Sequence, residues 1–207
     1  MGTGETEDAQ TGFGYRMKKR IGIQGSLVFL ALALSIILSR FLFRRREGGI
    51  LDLFLNAAGI TMVLLGFLFR ITARGYKSEM SDNSKRLVTG GPYRLVRNPM
   101  YFGTLLIGAG IILALFNWWV FFIFFTGFLF IYIPQVKKEE QELLEQFGDE
   151  YKEYSKKTPK YFPGSLRLFN EGVTDRLFFK WPWVRKELPS LIAVLGAIIA
   201  VKIWLKP

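Results

Sequence analysis

The fold is decided by Tyr101–Val136 (YFGTLLIGAGIILALFNWWVFFIFFTGFLFIYIPQV), a run of 36 residues without a charged side chain. An α-helix rises about 1.5 Å per residue, so roughly 20 apolar residues cross a hydrocarbon core about 30 Å thick. The run is therefore long enough for two slightly short membrane spans. Asn117, which precedes two tryptophans, marks the turn between them. The sequence predicts a tight helical hairpin with spans near 101–116 and 118–136.

Further apolar stretches lie on both sides of the hairpin. They predict spans near 21–43, 50–70 and 188–205, with the charges Asp52 and Lys202 inside the second and third of these. A single run of this kind could be a buried core helix, but several in 207 residues indicate a membrane protein. The first stretch is too long for a typical cleaved signal peptide and favours a signal anchor. The sequence therefore predicts an all-α, polytopic membrane protein with about five transmembrane helices.

The composition limits the chemistry, because the chain contains no His and no Cys. This excludes disulfides, thiolate nucleophiles, Ser-His-Asp triads and the usual ligands of zinc, haem and iron–sulfur centres, and we expect no metal site. Any reaction must use carboxylates, Tyr, Arg, Lys, backbone groups and a bound cofactor. The net charge of +11 is segregated from the apolar runs, which indicates an anionic membrane surface as a partner rather than nucleic acid.

The positive side chains predict an orientation. Segments 71–100 and 137–187 carry most of the Lys and Arg residues, and they lie on one side of the membrane because two spans separate them. The positive-inside rule places that side in the cytoplasm, although the arginines at 44–46 oppose the rule. We therefore expect the active site, and a disordered basic N-terminal tail over residues 1–20, to face the cytoplasm.

The first motif that carries chemistry is Leu87–Gly103 (LVTGGPYRLVRNPMYFG). Its glycines and first proline make a tight turn, and a helix begins after Asn98-Pro99, where free backbone N–H groups suit an anion. Two arginines add positive charge, while Tyr93 and Tyr101 offer aromatic faces that stack on a purine or attract a cation. The alternative interpretation is a basic juxtamembrane loop with interfacial tyrosines.

The second motif is Lys137–Tyr154 (KKEEQELLEQFGDEYKEY). It indicates a charged amphipathic helix that continues the fourth span, has a potential break at Gly148 and ends by Pro159. The hairpin places Glu139 and Glu140 level with the start of the third span. Carboxylates there accept hydrogen bonds from a ribose diol or an amino group, or offset a cationic cofactor. The other acids are expected to face solvent, with Glu–Lys pairing: Glu142, Glu145, Asp149, Glu150 and Glu153.

In this order and separation, the two motifs resemble those of the isoprenylcysteine carboxyl methyltransferase and phospholipid methyltransferase superfamily. The resemblance covers about residues 50–165. It implies a single membrane methyltransferase domain, residues 21–207, that binds S-adenosylmethionine in a pocket on the cytosolic side. It also implies a membrane lipid or a lipidated acceptor, which enters laterally between the helices.

The same resemblance implies which residues contact the cofactor. It assigns one pocket edge to Lys85–Val88, another to the start of the third span and an acidic contact to the glutamate pair. The expected cofactor-binding residues are Lys85, Arg86, Leu87, Val88, Tyr93, Arg97, Asn98, Pro99, Met100, Tyr101, Glu139 and Glu140. Tyr101 and Glu139 are candidates for positioning, and no catalytic residue is assigned. Methyl transfer is an in-line displacement at an activated carbon, so positioning and exclusion of water suffice without a strong base.

Two departures from the carboxyl methyltransferase pattern bear on the acceptor. Asn98 stands where those enzymes carry His, as in eukaryotic phospholipid N-methyltransferases, and Gln135 stands where they carry an Arg suited to the acceptor carboxylate. Both departures favour N-methylation of a phospholipid amine headgroup of the phosphatidylethanolamine type. The FGDEYxEY sequence at 147–154 favours the alternative, isoprenylcysteine carboxyl O-methylation.

Two other classes of protein are more distant alternatives. An NADPH-dependent enzyme similar to sterol reductases would use Lys85 and Arg86 for the 2′-phosphate, but the short chain and the pair Glu139-Glu140 favour methylation. A non-catalytic adaptor or transporter subunit is the other class. Asp52 is the only acid inside a predicted span, which argues against a charged transport pathway.

Overall fold

The computed structural model describes residues 43, 49–81, 85–163 and 180–204. The chain divides into two units, Met1–Phe43 and Arg44–Pro207, and the helices described here belong to the second. The described helices are α1 (Ile50–Met80), α2 (Pro99–Leu115), α3 (Trp118–Lys157) and α4 (Trp181–Trp204), and a short 3₁₀ turn, Gly91–Arg94, precedes α2. The predicted span near 21–43 lies outside the described residues, apart from its last residue.

Helices α1 and α2 form an antiparallel pair that packs through glycines. A Cβ atom at Gly66 would lie 2.6 Å from the carbonyl oxygen of Gly103, and one at Gly59 would lie 2.6 Å from that of Gly110. On each helix the two glycines are two turns apart, so they share one face. Close backbone approach at small residues is how helices associate in lipid, where no hydrophobic force draws them together.

Helices α2 and α3 form the predicted tight hairpin. Two residues connect them, and Asn117 occupies the N-cap position of α3. The ring of Phe124 fills the space beside Gly108, and the rings of Tyr101 and Tyr132 lie 5.0 Å apart. The antiparallel course brings the start of α2 beside the charged continuation of α3, as the sequence predicts.

Helix α3 continues from its apolar part, residues 118–136, into the charged second motif. Gly148 interrupts it with φ 52° and ψ −120°, a left-handed φ that glycine adopts without a Cβ penalty. The helix ends before its C-cap residue, Thr158, which precedes Pro159. The predicted helix, its break and its end are confirmed.

Helix α4 lies antiparallel to α1. Near one end of the pair, Lys202 Nζ donates to Asn56 Oδ1 at 2.9 Å. Near the other end, Trp183 Nε1 donates to Glu79 Oε1 at 2.8 Å. The last helix therefore packs along most of the length of the first one.

Two helices extend beyond the predicted spans. Helix α1 continues to Met80 rather than ending near residue 70, and α4 begins at Trp181 rather than near residue 188. Hydropathy marks only the part of a helix that fits hydrocarbon. The additional turns of these two helices are polar, and they are stabilised by contacts between the helices rather than by apolar composition.

Three described helices, α1, α3 and α4, have the length and apolar composition needed to cross a membrane. Helix α2 is apolar but has 17 residues, which give about 25 Å of helix against a hydrocarbon core of roughly 30 Å. The count of five spans is therefore not confirmed. The described part of the chain supports an all-helical architecture with three candidate spans.

Candidate cofactor and acceptor site

A carboxylate with two neutral hydrogen-bond donors lies where α3 leaves its apolar part. Tyr101, in the first turn of α2, donates its hydroxyl to Glu139 Oε1 at 2.5 Å, and Gln135 donates its amide to the same oxygen at 2.9 Å. Gln135 and Glu139 are i, i+4 neighbours on α3, and the hairpin brings Tyr101 opposite them. The short contact from the phenol is typical of a charge-assisted hydrogen bond. All three residues are half-buried, so a ligand can still reach the carboxylate.

The neighbouring carboxylate, Glu140, forms ion pairs with two cations. Its Oε1 lies 3.2 Å from Arg97 Nη1, and its Oε2 lies 2.5 Å from Lys160 Nζ. The side chains of Arg97 and Glu140 are only 16% and 15% exposed, so solvent screens this pair less than a surface pair. The two consecutive glutamates thus differ in charge environment, and Glu140 is the one neutralised by these cations.

Two hydrogen bonds hold the loop before α2 against the segment that follows α3. The Arg97 N–H donates to the carbonyl of Pro159 at 2.8 Å, and the side-chain amide of Asn98 donates to the carbonyl of Lys160 at 3.1 Å. Asn98 therefore has a structural contact in addition to any role toward a ligand. These contacts bring the two sequence motifs into one site.

Two tyrosines join this loop to α1 and to the end of α3. The Tyr154 hydroxyl donates to the backbone carbonyl of Tyr93 at 2.7 Å, and the Tyr93 hydroxyl lies 3.4 Å from the carbonyl of Ala73. Burial raises the pKa of Tyr93, and the negative charge of Glu139 raises it further. Burial also raises the pKa of Tyr154. Both phenols are therefore neutral near pH 7 and act as hydrogen-bonding groups and aromatic faces, not as bases.

Tyr151 is 5% exposed, and its hydroxyl lies beside the side chains of Arg97 and Glu140 without a hydrogen bond of normal geometry. Burial raises the pKa of Tyr151 to about 12, and the charge of the adjacent Glu140 contributes to the rise. Arg97 Nε and Glu140 Oε1 are likewise buried without a hydrogen bond, although the two side chains are ion-paired. Buried polar groups are nearly always hydrogen-bonded. The Tyr151 hydroxyl, the Arg97 guanidinium and the Glu140 carboxylate thus form one buried polar cluster.

The structure joins half of the predicted site residues through these contacts. They are Tyr93, Arg97, Asn98, Tyr101, Glu139 and Glu140. Pro99 is buried at the start of α2, and Met100 beside it is 37% exposed. Lys85–Val88 lie in the loop after α1, and among the described residues no hydrogen bond or ion pair joins them to the glutamates. Their assignment to the cofactor pocket stays a prediction.

The five remaining acids of the second motif are exposed, as the sequence predicts. Three of them form ion pairs within α3: Lys138–Glu142, Lys152–Asp149 and Lys157–Glu153. Exposed pairs of this kind contribute about 0–1 kcal/mol. These acids solvate the outer face of the helix and are separate from the site.

Sequence reasoning missed Tyr151 and Lys160. The signal for the first was present, because Tyr151 and Tyr154 are three residues apart and share one helix face that packs on the loop. No comparable signal marks Lys160. Its contact with Glu140 depends on the chain turning back after Thr158, and that path is set by tertiary packing.

Sequence reasoning also missed a buried acid in α4. Glu187 is 2% exposed and is ion-paired with Arg74, and with Arg70 at 3.5 Å. Glu187 lies just outside the predicted span near 188–205, in the first turns of α4, so the search for acids inside the spans did not include it. The two arginines are i, i+4 neighbours on α1, and that spacing was the available signal for a shared acidic partner.

The spanning helices, with a charged site at one end of a hairpin, define an integral membrane protein whose site lies at the end of its apolar region. The chain matches the family model described as phospholipid methyltransferase over residues 54–150. The matched range includes the hairpin and both site glutamates. The chain belongs to the superfamily of isoprenylcysteine carboxyl methyltransferases and phospholipid methyltransferases, and so to a family of membrane methyltransferases.

Three relatives show how the similarity is distributed. The chain is 30% identical over 196 residues to the cobalt-zinc-cadmium resistance protein CzcN of Cupriavidus metallidurans, covering 89% of this chain and 88% of that one. It is 29% identical over 113 residues to protein-S-isoprenylcysteine O-methyltransferase B of Arabidopsis thaliana, covering 51% and 57%. It is 31% identical over 132 residues to the nickel-cobalt-cadmium resistance protein NccN of Alcaligenes xylosoxydans xylosoxydans, covering 59% and 58%. No solved structure matches the chain.

Proposed function

We propose that the chain transfers the methyl group of S-adenosylmethionine to the amine of a phospholipid headgroup at the cytoplasmic membrane surface. The observation that carries this proposal is the carboxylate of Glu139, held by Tyr101 and Gln135 at the mouth of the hairpin. A carboxylate in that position attracts a positive sulfonium or ammonium group. The family match supports the reaction class, since the matched family is described by phospholipid methylation.

The buried polar groups beside Glu140 fit the polar parts of the methyl donor. Arg97 Nε is a donor suited to a carboxylate, and Glu140 Oε1 is an acceptor suited to an amino group or a ribose hydroxyl. The Tyr151 hydroxyl can serve either partner. Tyr93 and Tyr101 would add aromatic faces for the purine or the sulfonium. We therefore propose that this cluster holds S-adenosylmethionine.

The chain contributes positioning rather than acid–base chemistry. When bound, S-adenosylmethionine supplies a methyl group on a positively charged sulfur. The headgroup ammonium would first lose a proton to solvent, and the freed lone pair would then form the new N–C bond as the C–S bond breaks, with the bonding electrons left on the sulfur. The new ammonium would lose a proton to solvent before another transfer. Holding the two reactants in line, and keeping water out, provides the acceleration.

The acceptor assignment rests on two neutral residues. Gln135 is an amide at the position where a carboxyl methyltransferase carries an arginine, and here it donates to Glu139. A carboxylate acceptor gains no bidentate cation from this residue, and it is repelled by the adjacent glutamate. Asn98, in place of His, binds the backbone of Lys160. Both observations favour an amine acceptor.

The test uses the purified full-length chain, labelled methyl donor and vesicles containing phosphatidylethanolamine, with a prenylcysteine analogue as the second acceptor. We expect labelled, N-methylated phospholipid. Glu139→Gln removes the charge and keeps the shape, and we expect at least about a tenfold loss of activity because a charge-assisted contact contributes about 1.5–3 kcal/mol. Glu142→Gln, an exposed site on the same helix, is the matched control and should retain activity.

Three outcomes would contradict the proposal. Label only in the prenylcysteine analogue would reverse the order of acceptors in favour of carboxyl O-methylation, which the Arabidopsis relative supports. Tight binding of NADPH without binding of S-adenosylmethionine would indicate a reductase. Equal activity in the Glu139→Gln and Glu142→Gln variants would place the site elsewhere.

Two relatives are named for resistance to metals, which raises the question of direct metal binding. The chain has no His and no Cys, and the described residues contain no cluster of three potential acidic ligands. Cobalt, nickel, zinc and cadmium prefer imidazole and thiolate ligands. We therefore propose that any contribution of this chain to metal tolerance comes from methylation of a membrane component and not from chelation.

A further inference from the structure

A cavity lies between α1 and α4, at the end of the pair that carries Met80 and Trp181. Its volume is about 120 Å³. Its lining residues are Ile71, Arg74, Gly75, Ser78, Trp183 and Lys186. The four from α1 follow the i, i+3, i+4, i+7 spacing of one helix face, so the cavity is a groove between two packed helices. Pockets for drug-sized ligands measure about 300–1,000 Å³, so this one fits a small group and not a nucleotide.

The surroundings of this groove carry more positive than negative charge. The buried carboxylate of Glu187 is shared by Arg70 and Arg74, which leaves one of these positive charges in excess. Arg74 is 49% exposed, so its guanidinium also reaches the groove surface. At the rim, Glu79 is neutralised by Lys180 at 2.6 Å.

Lys186 adds a cation that is not committed to any ion pair among the described residues. It is exposed on the groove side of α4, one turn after Trp183. The carboxylates that face the groove, Glu79 and Glu187, already have their own cations. An anion in the groove therefore meets Arg74 and Lys186 without displacing an existing pair.

The position of the groove along the helices identifies the source of the anion. Lysine and tryptophan together mark the headgroup region of a membrane, and here Trp181 and Trp183 lie beside Lys180. From Leu188 onward α4 is an apolar helix, so the groove adjoins the part of the protein that faces acyl chains. A phosphate with acyl chains attached matches both parts of this surface, whereas a free phosphate matches only the first.

We propose that this groove binds the headgroup phosphate of an anionic phospholipid through Arg74 and Lys186, with the acyl chains in the adjoining hydrocarbon layer. Glu187 holds the guanidinium of Arg74 in place. The site is distinct from the cluster around Glu139 and Glu140, and the proposal does not depend on methyl transfer. The bound lipid would anchor the end of α4 against α1.

The test is a titration of the purified full-length chain, in a neutral detergent, with short-chain phosphatidylglycerol, counting bound lipids by native mass spectrometry. Lys186→Gln should weaken the first binding step about fivefold, because a basic residue near an anionic surface contributes about 1 kcal/mol. Arg185→Gln is the matched control, since it removes the same charge from the preceding exposed position outside the groove. It should leave the first step unchanged.

Phosphatidylcholine and inorganic phosphate complete the design. We expect weaker binding of the zwitterionic lipid and no competition from millimolar inorganic phosphate. Equal weakening by Lys186→Gln and Arg185→Gln would reduce the effect to general surface charge and overturn the proposal. Equal affinity for the two lipids, or displacement of phosphatidylglycerol by inorganic phosphate, would overturn it as well. None of these measurements uses a methyl donor, so they are independent of the proposed enzymatic activity.

Discussion

Tyr151 and Tyr154 lie on the same turn of α3 but differ in the hydrogen bonds of their hydroxyl groups. The Tyr154 hydroxyl donates to the backbone of Tyr93, whereas the buried Tyr151 hydroxyl lies beside Arg97 and Glu140 without a hydrogen bond of normal geometry. Tyr154→Phe should therefore destabilise the protein by about 1 kcal/mol. Tyr151→Phe should change the stability less than Tyr154→Phe does, because the Tyr151 hydroxyl makes no hydrogen bond of normal geometry. Thermal unfolding in detergent measures both effects.

The affinity for the methyl donor shows whether Tyr151 contacts the ligand or only packs in the protein. A lost hydrogen bond of about 0.5–1.5 kcal/mol corresponds to roughly a 2- to 12-fold weaker Kd for S-adenosylmethionine. Titration calorimetry of the Tyr151→Phe variant checks this value. A variant with normal stability and normal donor affinity would remove Tyr151 from the proposed cofactor site.

The raised pKa of Tyr151 also predicts a pH dependence. Burial raises this pKa to about 12 from an ordinary value of 10.0, so the folded chain keeps the phenol proton longer than the unfolded chain does. The stability that the protonated phenol contributes is complete below pH 10 and is lost as the pH rises toward 12. The free energy of unfolding, measured with denaturant, should fall more between pH 9 and pH 11 for the parent chain than for Tyr151→Phe. Equal losses would contradict the buried, protonated state.

The residues of the site differ in how far the sequence predicts them. Glu139 faces Tyr101 because a two-residue turn fixes the register of the hairpin, and both features can be read from the apolar run. Lys160 and Tyr151 approach Glu140 only because the chain changes direction at Gly148 and again after α3. The sequence indicates where such changes of direction occur, but not which residue each of them brings close to Glu140.

The contact between α1 and α2 gives a prediction for whole helices. A methyl group at Gly66 would meet the backbone oxygen of Gly103 at 2.6 Å, so Gly66→Ala forces the helices apart. Overpacking of this kind typically costs about 1–3 kcal/mol. Gly127→Ala is the matched control, because nothing lies within 4 Å of a Cβ at that position on α3. Thermal unfolding should show a lower Tm for the first variant and no loss for the second; equal Tm values would contradict the close crossing.

The ends of α1 and α4 show why hydropathy alone does not detect the full length of these helices. Arg70, Arg74 and Glu187 are unfavourable in an apolar window, yet the shared carboxylate offsets part of their charge between the two helices. The partner residues are 113 positions apart for the closest pair, so no local window contains both. A segment that is unsuitable alone becomes a stable helix end when its charges are paired.

At the scale of the whole molecule, the hairpin decides where the site lies. Helix α2 is short for a bilayer, and a 17-residue span requires local thinning of the lipid or a nearly perpendicular course. If α2 and α3 both cross, then the turn at Asn117 and the site around Glu139 lie on opposite sides. The distribution of Lys and Arg predicts the cytoplasm for the site.

Introduced cysteines test this arrangement, because the natural chain has none. Trp118, at the hairpin turn, is 77% exposed, and the side chain of Glu153, on the charged part of α3, is 76% exposed. A membrane-impermeant maleimide should label Trp118→Cys in intact cells, and Glu153→Cys only after permeabilisation. The reverse pattern would turn the site outward, away from the cellular supply of methyl donor. Labelling of both positions from one side would show that the hairpin does not cross, so that the short length of α2 would reflect a re-entrant course.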